Sequence, residues 1–322
     1  MSAATLLAGG TRHRPFLGIG LVLVMGMWFT TLDATAKYLS LHLPVVVGLF
    51  ARYAVQAVLV GGWLAHQRVV RGNDLFRTAH PRFQLLRGAL LLITSALLFI
   101  GLRYMPLAEF SAVGMLSPVI VTVLAALVLH EKVSALRMAL VLGGFTGALL
   151  VVRPGSGLFG WAALIPLVMA FVYAGFQLLT RRLSNLEHPM TTHFYTGLVG
   201  TVIVGAVLAG FDPAISAQAL REAPPLLWGL LLLVGVAGTV GHLCLILALR
   251  VAPMATLMPF TYLQLGFAAF AGWLAFGHIP DDWAVMGIAL VAACGAASVW
   301  LNLRESSAAQ RIAPADSALT PD

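Results

Sequence analysis

The chain has 322 residues, 60% of them hydrophobic and only 10% charged, whereas a soluble domain carries about a quarter charged residues, so water is excluded as its main solvent. Its formal charge of +7 does not point to nucleic acid, because a binder of that kind gathers basic side chains on one folded surface. Here they fall between apolar runs.

Those runs reach the length of about 20 residues that a helix needs to cross hydrocarbon, and they predict spans at 15–39, 44–66, 83–103, 106–129, 134–152, 158–181, 189–210, 224–249, 253–276 and 281–301. Continuous Leu, Ala, Val and Gly exclude the alternating pattern of barrel strands. Residues 1–14 read as a cytoplasmic N-terminal segment. The stretch that follows is too long for a signal peptide and lacks a cleavage site, so it reads as a retained first span.

Along the first span, Asp33 and Lys37 lie four apart on one helix face and can neutralise each other. A charge at this depth is costly in hydrocarbon, so both should face the bundle or a wet cavity. Arg52 in span two, Arg103 at the end of span three and Glu109 early in span four fall at similar depth and can form a polar vestibule. Arg103 and Arg250 also read as interfacial side chains whose heads reach water. Glu131 after span four reads as a cap or a partner of Lys132 or Arg137. Pro118, Pro166 and Pro259 fall inside spans, where they free backbone carbonyls.

In the second half, Gln177 and Arg181 in span six and His193 and Tyr195 in span seven are the counterparts expected on the cytoplasmic side, with Arg250 after span eight. Tyr173, Gln177, Phe260, Tyr262 and Gln264 suit a pocket that holds an organic solute by stacking and hydrogen bonds. His193 and His242 can carry protons or can be ordinary hydrogen-bonded core histidines. Neither has a second ligand at metal-binding spacing, and Cys244 and Cys294 read as small packing residues, so no metal or cofactor is assigned. From residue 302 the tail loses periodicity and reads as disordered.

The two halves repeat. Leu102-Arg103-Tyr104-Met105-Pro106-Leu107-Ala108 matches Leu249-Arg250-Val251-Ala252-Pro253-Met254-Ala255 at an offset of 147 residues, and Lys37, Leu39 and Ser40 stand opposite Arg181, Leu183 and Ser184. The repeats span 15–155 and 156–301. Each holds five spans, an odd number, so the second enters the membrane from the opposite side. Inverted repeats of this kind recur in transporters. With the N-terminus inside, 14 of the 19 Lys and Arg residues fall on the cytoplasmic side, which places both termini there in a multi-pass inner (plasma) membrane protein. No Gly-x-Ser-x-Gly, His-Glu-x-x-His or Walker motif occurs, so the chain does not read as an enzyme or a nucleotide-driven pump.

Ten spans, the inverted repeat, the Arg-x-x-Pro-[Leu/Met]-Ala segments and Glu131 after span four make the sequence resemble the EamA-type drug/metabolite transporter superfamily over residues 15–301. Within it the chain is most similar to the S-adenosylmethionine uptake transporter group, through Asp33-Ala34-Thr35-Ala36-Lys37-Tyr38-Leu39, Phe50-Ala51-Arg52-Tyr53, Leu86-Arg87-Gly88 and Pro259-Phe260-Thr261-Tyr262-Leu263-Gln264-Leu265. It departs from that group at Gln264 and His278, where acidic residues are expected. The resemblance implies an all-α carrier that moves a small polar metabolite across a lipid bilayer by alternating access. The cargo would be like an amino acid or nucleoside, with S-adenosylmethionine as one instance, and a proton or an exchanged solute would couple its movement. The alternative is an exporter of amino acids or toxic amphiphiles. Candidate contacts or gates are Asp33, Lys37, Arg52, Glu109, Tyr173, Gln177, His193, Tyr262 and Gln264.

Overall fold

A computed structural model describes residues 15–72, 74–117, 120, 135–153, 160–184, 186–210, 218–251, 257 and 260–312. The roles expected of Pro118, Pro259, Glu131 and Lys132, and of the side chains of Arg137 and Arg181, lie outside the described residues.

Ten α-helices appear among the described residues, one at each expected position. They are α1 (Pro15–His42), α2 (Val45–Arg71), α3 (Pro81–Tyr104), α4 (Leu107–Gly114) and α5 (Ala135–Val152), then α6 (Leu164–Ser184), α7 (Pro189–Gly210), α8 (Pro225–Val251), α9 (Leu263–Phe276) and α10 (Asp282–Ile312). Six of them, α1, α2, α3, α6, α7 and α8, are long and apolar enough to cross a membrane. Proline opens α3, α7 and α8, where the N–H it lacks has no partner in any case. Gly72 and Gly277 close α2 and α9 at φ of 66° and 63°, and their N–H groups turn back onto Arg68 and Trp273. That left-handed geometry suits glycine.

Two expectations change. The segment expected as disordered from 302 continues α10 to Ile312, because Arg304, Glu305, Ala308, Ala309 and Gln310 are all good helix formers. Pro166 does not kink the middle of a span. A 3-10 turn over Gly160–Ala163 precedes α6, so the proline stands in the first α-helical turn, where it costs little.

The packing obeys an exchange of halves, with α1 to α5 taking the places of α6 to α10. α1 packs extensively on α8, and its counterpart α6 packs on α3. α2 meets α7, α5 meets α10 and α4 meets α9, as helices on a pseudo-two-fold axis must. The core of long-range contact is therefore the seam between the halves. Chain direction then defines two ends of the bundle. One carries the α2–α3 and α6–α7 connections, and the other carries the turns after α1, α3, α5 and α9.

Candidate functional site

A cavity lined by residues of both halves opens in the seam. Its wall pairs residues across the pseudo-axis. At a spacing of 144 residues, Met25 is equivalent to Met169, Phe29 to Tyr173 and Asp33 to Gln177, and all six line the cavity. At a spacing of 147, Ser95 pairs with His242, Leu98 with Leu245 and Ser117 with Gln264. The symmetry breaks at the charges, because Asp33 and Arg52 both come from the first half.

Asp33, Arg52, Tyr173, Gln177 and Gln264 of the expected residues line the cavity. Gln264 hydrogen-bonds the Asp33 carboxylate, and the Arg52 guanidinium lies within electrostatic reach of it. Arg52 also donates from Nη1 to the Tyr53 hydroxyl at 3.3 Å. Ser95 Oγ donates to the Leu91 carbonyl at 2.7 Å, which leaves it to accept from Tyr53, also at 2.7 Å. Arginine, tyrosine and serine thus form one directed chain from the cavity edge into α3.

The expected mutual neutralisation of Asp33 and Lys37 is not what the structure has. Lys37 Nζ donates to the carbonyls of Met105 at 2.6 Å and Leu102 at 3.1 Å, where α3 ends and its last carbonyls lack helical partners. Its ammonium lies 5.3 Å from the Phe276 ring centre. One turn of helix puts the two side chains on one face, but the carbonyls at the end of α3 are nearer partners for Lys37 than a carboxylate already held by Gln264.

The remaining candidates stand outside the cavity wall. Glu109 accepts from His278 Nε2 at 2.8 Å, joining α4 to the turn after α9. Tyr262 packs in the apolar cluster of Ala112, Val113 and Val291, over Gly295, whose missing side chain leaves room for the ring. His193 is fully satisfied: Nε2 donates to the Thr239 carbonyl at 3.1 Å, and Nδ1 accepts from Gln56 at 3.2 Å. Arg103 is exposed at the end of α3, as expected of an interfacial side chain, whereas Arg250 is half-buried with Nη1 shut away from solvent.

Phe29 and Ser95 are not among the residues that the sequence singles out, and Arg87 enters there only through Leu86-Arg87-Gly88 and the count of positive charges. Phe29 and Ser95 are background residues in an apolar span, but the two repeat spacings would have found them opposite Tyr173 and His242. Arg87 was read as one of the positive charges beside the membrane, yet it is 1% exposed. Its Nε donates to Thr180 at 2.8 Å and its Nη1 to the Thr192 carbonyl and the Thr196 hydroxyl, while the guanidinium lies 4.6 Å from the Phe176 ring centre. It fastens α3 to α6 and α7, beyond the cavity.

A model described as the EamA-like transporter family matches residues 16–153 and again 160–300, one match for each half. The riboflavin transporter of Rhizobium johnstonii is 30% identical over 282 residues, covering 86% of this chain and 89% of that one. The pseudopaline exporter of Pseudomonas aeruginosa is 30% identical over 284 residues, covering 87% and 95%. The S-adenosylmethionine uptake transporter of Rickettsia prowazekii is 22% identical, covering 80% and 84%. A solved structure described only as "Crystal structure of protein" superposes with a TM-score of 0.63 at 15% identity, over 94% of this chain and 99% of that one. At that identity it shows the fold alone.

Proposed function

The chain belongs to the EamA-like transporter family, and from that premise we propose that it is a secondary carrier for a small metabolite bearing a planar ring, working by alternating access through the central cavity. The reading rests on one observation: the cavity sits between the inverted halves, with its wall built from repeat-related pairs. A site on such an axis can be opened to either side by the same rocking of the halves. Phe29 and Tyr173 offer faces to a ring, and Asp33, Arg52, Gln177 and Gln264 supply the few polar contacts that fix orientation. Riboflavin and S-adenosylmethionine both carry planar rings, and relatives named for each support them as first candidates.

The protein is placed in the inner membrane with both termini in the cytoplasm, so the α2–α3 and α6–α7 connections face inward. The Lys and Arg bias supports this, although Arg87 drops out of that count as a buried residue. A second reading, export of an amino-acid-like zwitterion, is favoured by the opposite charges of Asp33 and Arg52 in one cavity, and a pseudopaline exporter is among the relatives.

Purified protein in liposomes should give saturable flux of labelled riboflavin or S-adenosylmethionine. If no candidate metabolite moves, the carrier reading fails. If cells overproducing the protein lose an amino-acid derivative to the medium and accumulate neither ring compound, the exporter reading replaces it. Arg52→Ala should abolish flux at normal membrane levels, whereas loss of the protein itself would make Arg52 structural.

A further inference from the structure

Resting on the carrier reading, we propose that the cavity recognises the edge of a planar heterocycle on which an N–H donor and a hydrogen-bond acceptor stand side by side. His242 takes the donor and Arg52 satisfies the acceptor. Among the described residues, three side chains that line the cavity carry buried polar atoms with no partner, Ser111 Oγ, Arg52 Nε and His242 Nε2, and the last two meet at α8. Arg52 is 2% exposed and His242 4%. A buried polar atom left unmatched is costly, so these atoms mark where a ligand of the right polarity gains most.

The polarity of each atom follows from its neighbours. His242 Nδ1 lies 2.9 Å from the Gly238 carbonyl. A carbonyl can only accept, so Nδ1 carries the hydrogen, and in the neutral ring Nε2 is a bare acceptor. A guanidinium Nε–H can only donate. The two are brought together on α8, where Arg52 approaches Gly238 so closely that a Cβ there would lie 3.2 Å from Nε. His242 follows one helical turn later. The Phe29 ring sits 4.7 Å from the His242 ring, tilted by 57°, and together with Tyr173 it supplies apolar walls for the body of the ligand.

Two kinds of ring present such an edge. A flavin has an imide N–H beside a carbonyl, and an adenine has an exocyclic amine beside a ring nitrogen. An amino-acid zwitterion has neither. Methylating the donor nitrogen removes the hydrogen while leaving the rest of the ring intact, and this separates edge recognition from stacking.

The protein in liposomes is given riboflavin, N3-methylriboflavin, S-adenosylmethionine and its N6,N6-dimethyl analogue, with leucine as a solute lacking the edge. In whichever arm moves, the parent compound should outpace its methylated partner by about tenfold or more, and His242→Phe should bring that ratio towards one. The arm that moves tells flavin from adenine. The ratio is internal, so a lower amount of folded variant does not alter it. Equal flux of parent and methylated compound overturns the proposal, as does a ratio unchanged in His242→Phe, or movement of leucine with neither ring compound. The first two leave the carrier reading standing, and the third keeps a carrier but removes its planar-ring cargo. No flux of any probe overturns the carrier reading, and this inference with it.

Discussion

Arg87 is the largest of the wholly buried side chains among the described residues, and hydroxyls and a ring surround it rather than a carboxylate. Thr180 and Thr196 each donate to the carbonyl four residues back, at 2.7 Å and 2.9 Å, which turns their lone pairs towards the guanidinium. Only a planar fork can reach Thr180 with one nitrogen and α7 with another. Arg87→Lys should therefore be less stable in detergent than Arg87→Met, by about 1.5–3 kcal/mol, because lysine leaves a buried charge with fewer partners, whereas methionine removes the charge. Equal melting temperatures for the two variants would refute the fork argument. The same residue shows why part of the site was illegible. Arg77, Arg82 and Arg87 read in sequence as one run of interfacial charge, and only the packing of α3 on α6 and α7 tells the last from the others. Asp33 and Gln177 were legible because a carboxylate or an amide in the middle of an apolar run has few places to go. His193 and His242 looked alike, and the difference between them, two satisfied nitrogens against one, lies in contacts made by other helices.

At the scale of elements, close approach matters more than side-chain chemistry. α5 and α10 are in backbone contact, and a Cβ on Gly287 would stand 2.5 Å from the Gly147 carbonyl oxygen and 3.0 Å from the Val151 nitrogen. Gly287→Ala should push the helices apart and cost about 1–3 kcal/mol. Gly229→Ala, where nothing lies within 4 Å of the added carbon, should instead be neutral or stabilise α8 by up to about 1 kcal/mol. Thermal melts of the two variants in one detergent make the comparison. Helix positions were legible because hydropathy and the prolines at 81, 189 and 225 punctuate the chain. The end of α10 was not, because past residue 301 its stability comes from helix propensity rather than an apolar stripe.

The α6–α7 connection carries Glu187, whose carboxylate accepts from the Thr78 hydroxyl at 2.7 Å and from the backbone N–H groups of Ala79 and His80 at 2.9 and 3.1 Å. Burial alone would raise this carboxyl, but the hydrogen bonds outweigh it and hold it below the ordinary glutamate range. A group depressed in the folded state adds stability above its unfolded pKa and loses it as pH falls through the folded value. Stability in detergent should therefore fall on acidification below the ordinary glutamate range, and Glu187→Gln should flatten that part of the profile. An unchanged slope in the variant would assign the acid loss to other groups.

For the whole molecule, these same bonds make Glu187 a clasp between the halves at one end of the bundle, since Thr78, Ala79 and His80 belong to the first half. Tyr195 adds to it by donating to the Phe76 carbonyl at 3.0 Å. The other end has its own clasps, Glu109 with His278 at 2.8 Å and Arg153 with Asp281 at 2.5 Å. A carrier that alternates must release one end while holding the other, so weakening either clasp should shift the population towards opening on that side, by as much as the lost bonds favoured closure. A reporter can be built by replacing Cys244 and Cys294 with Ala and changing Thr94, which lines the cavity, to Cys. In that background Glu187→Ala should raise labelling by an impermeant maleimide applied from the side of the α2–α3 connection only, and Glu109→Gln should raise it from the opposite side only. Labelling that rises from both sides in either variant would mean that the bond holds the fold together rather than gating it, and labelling that rises from neither would leave the apolar seam as the gate.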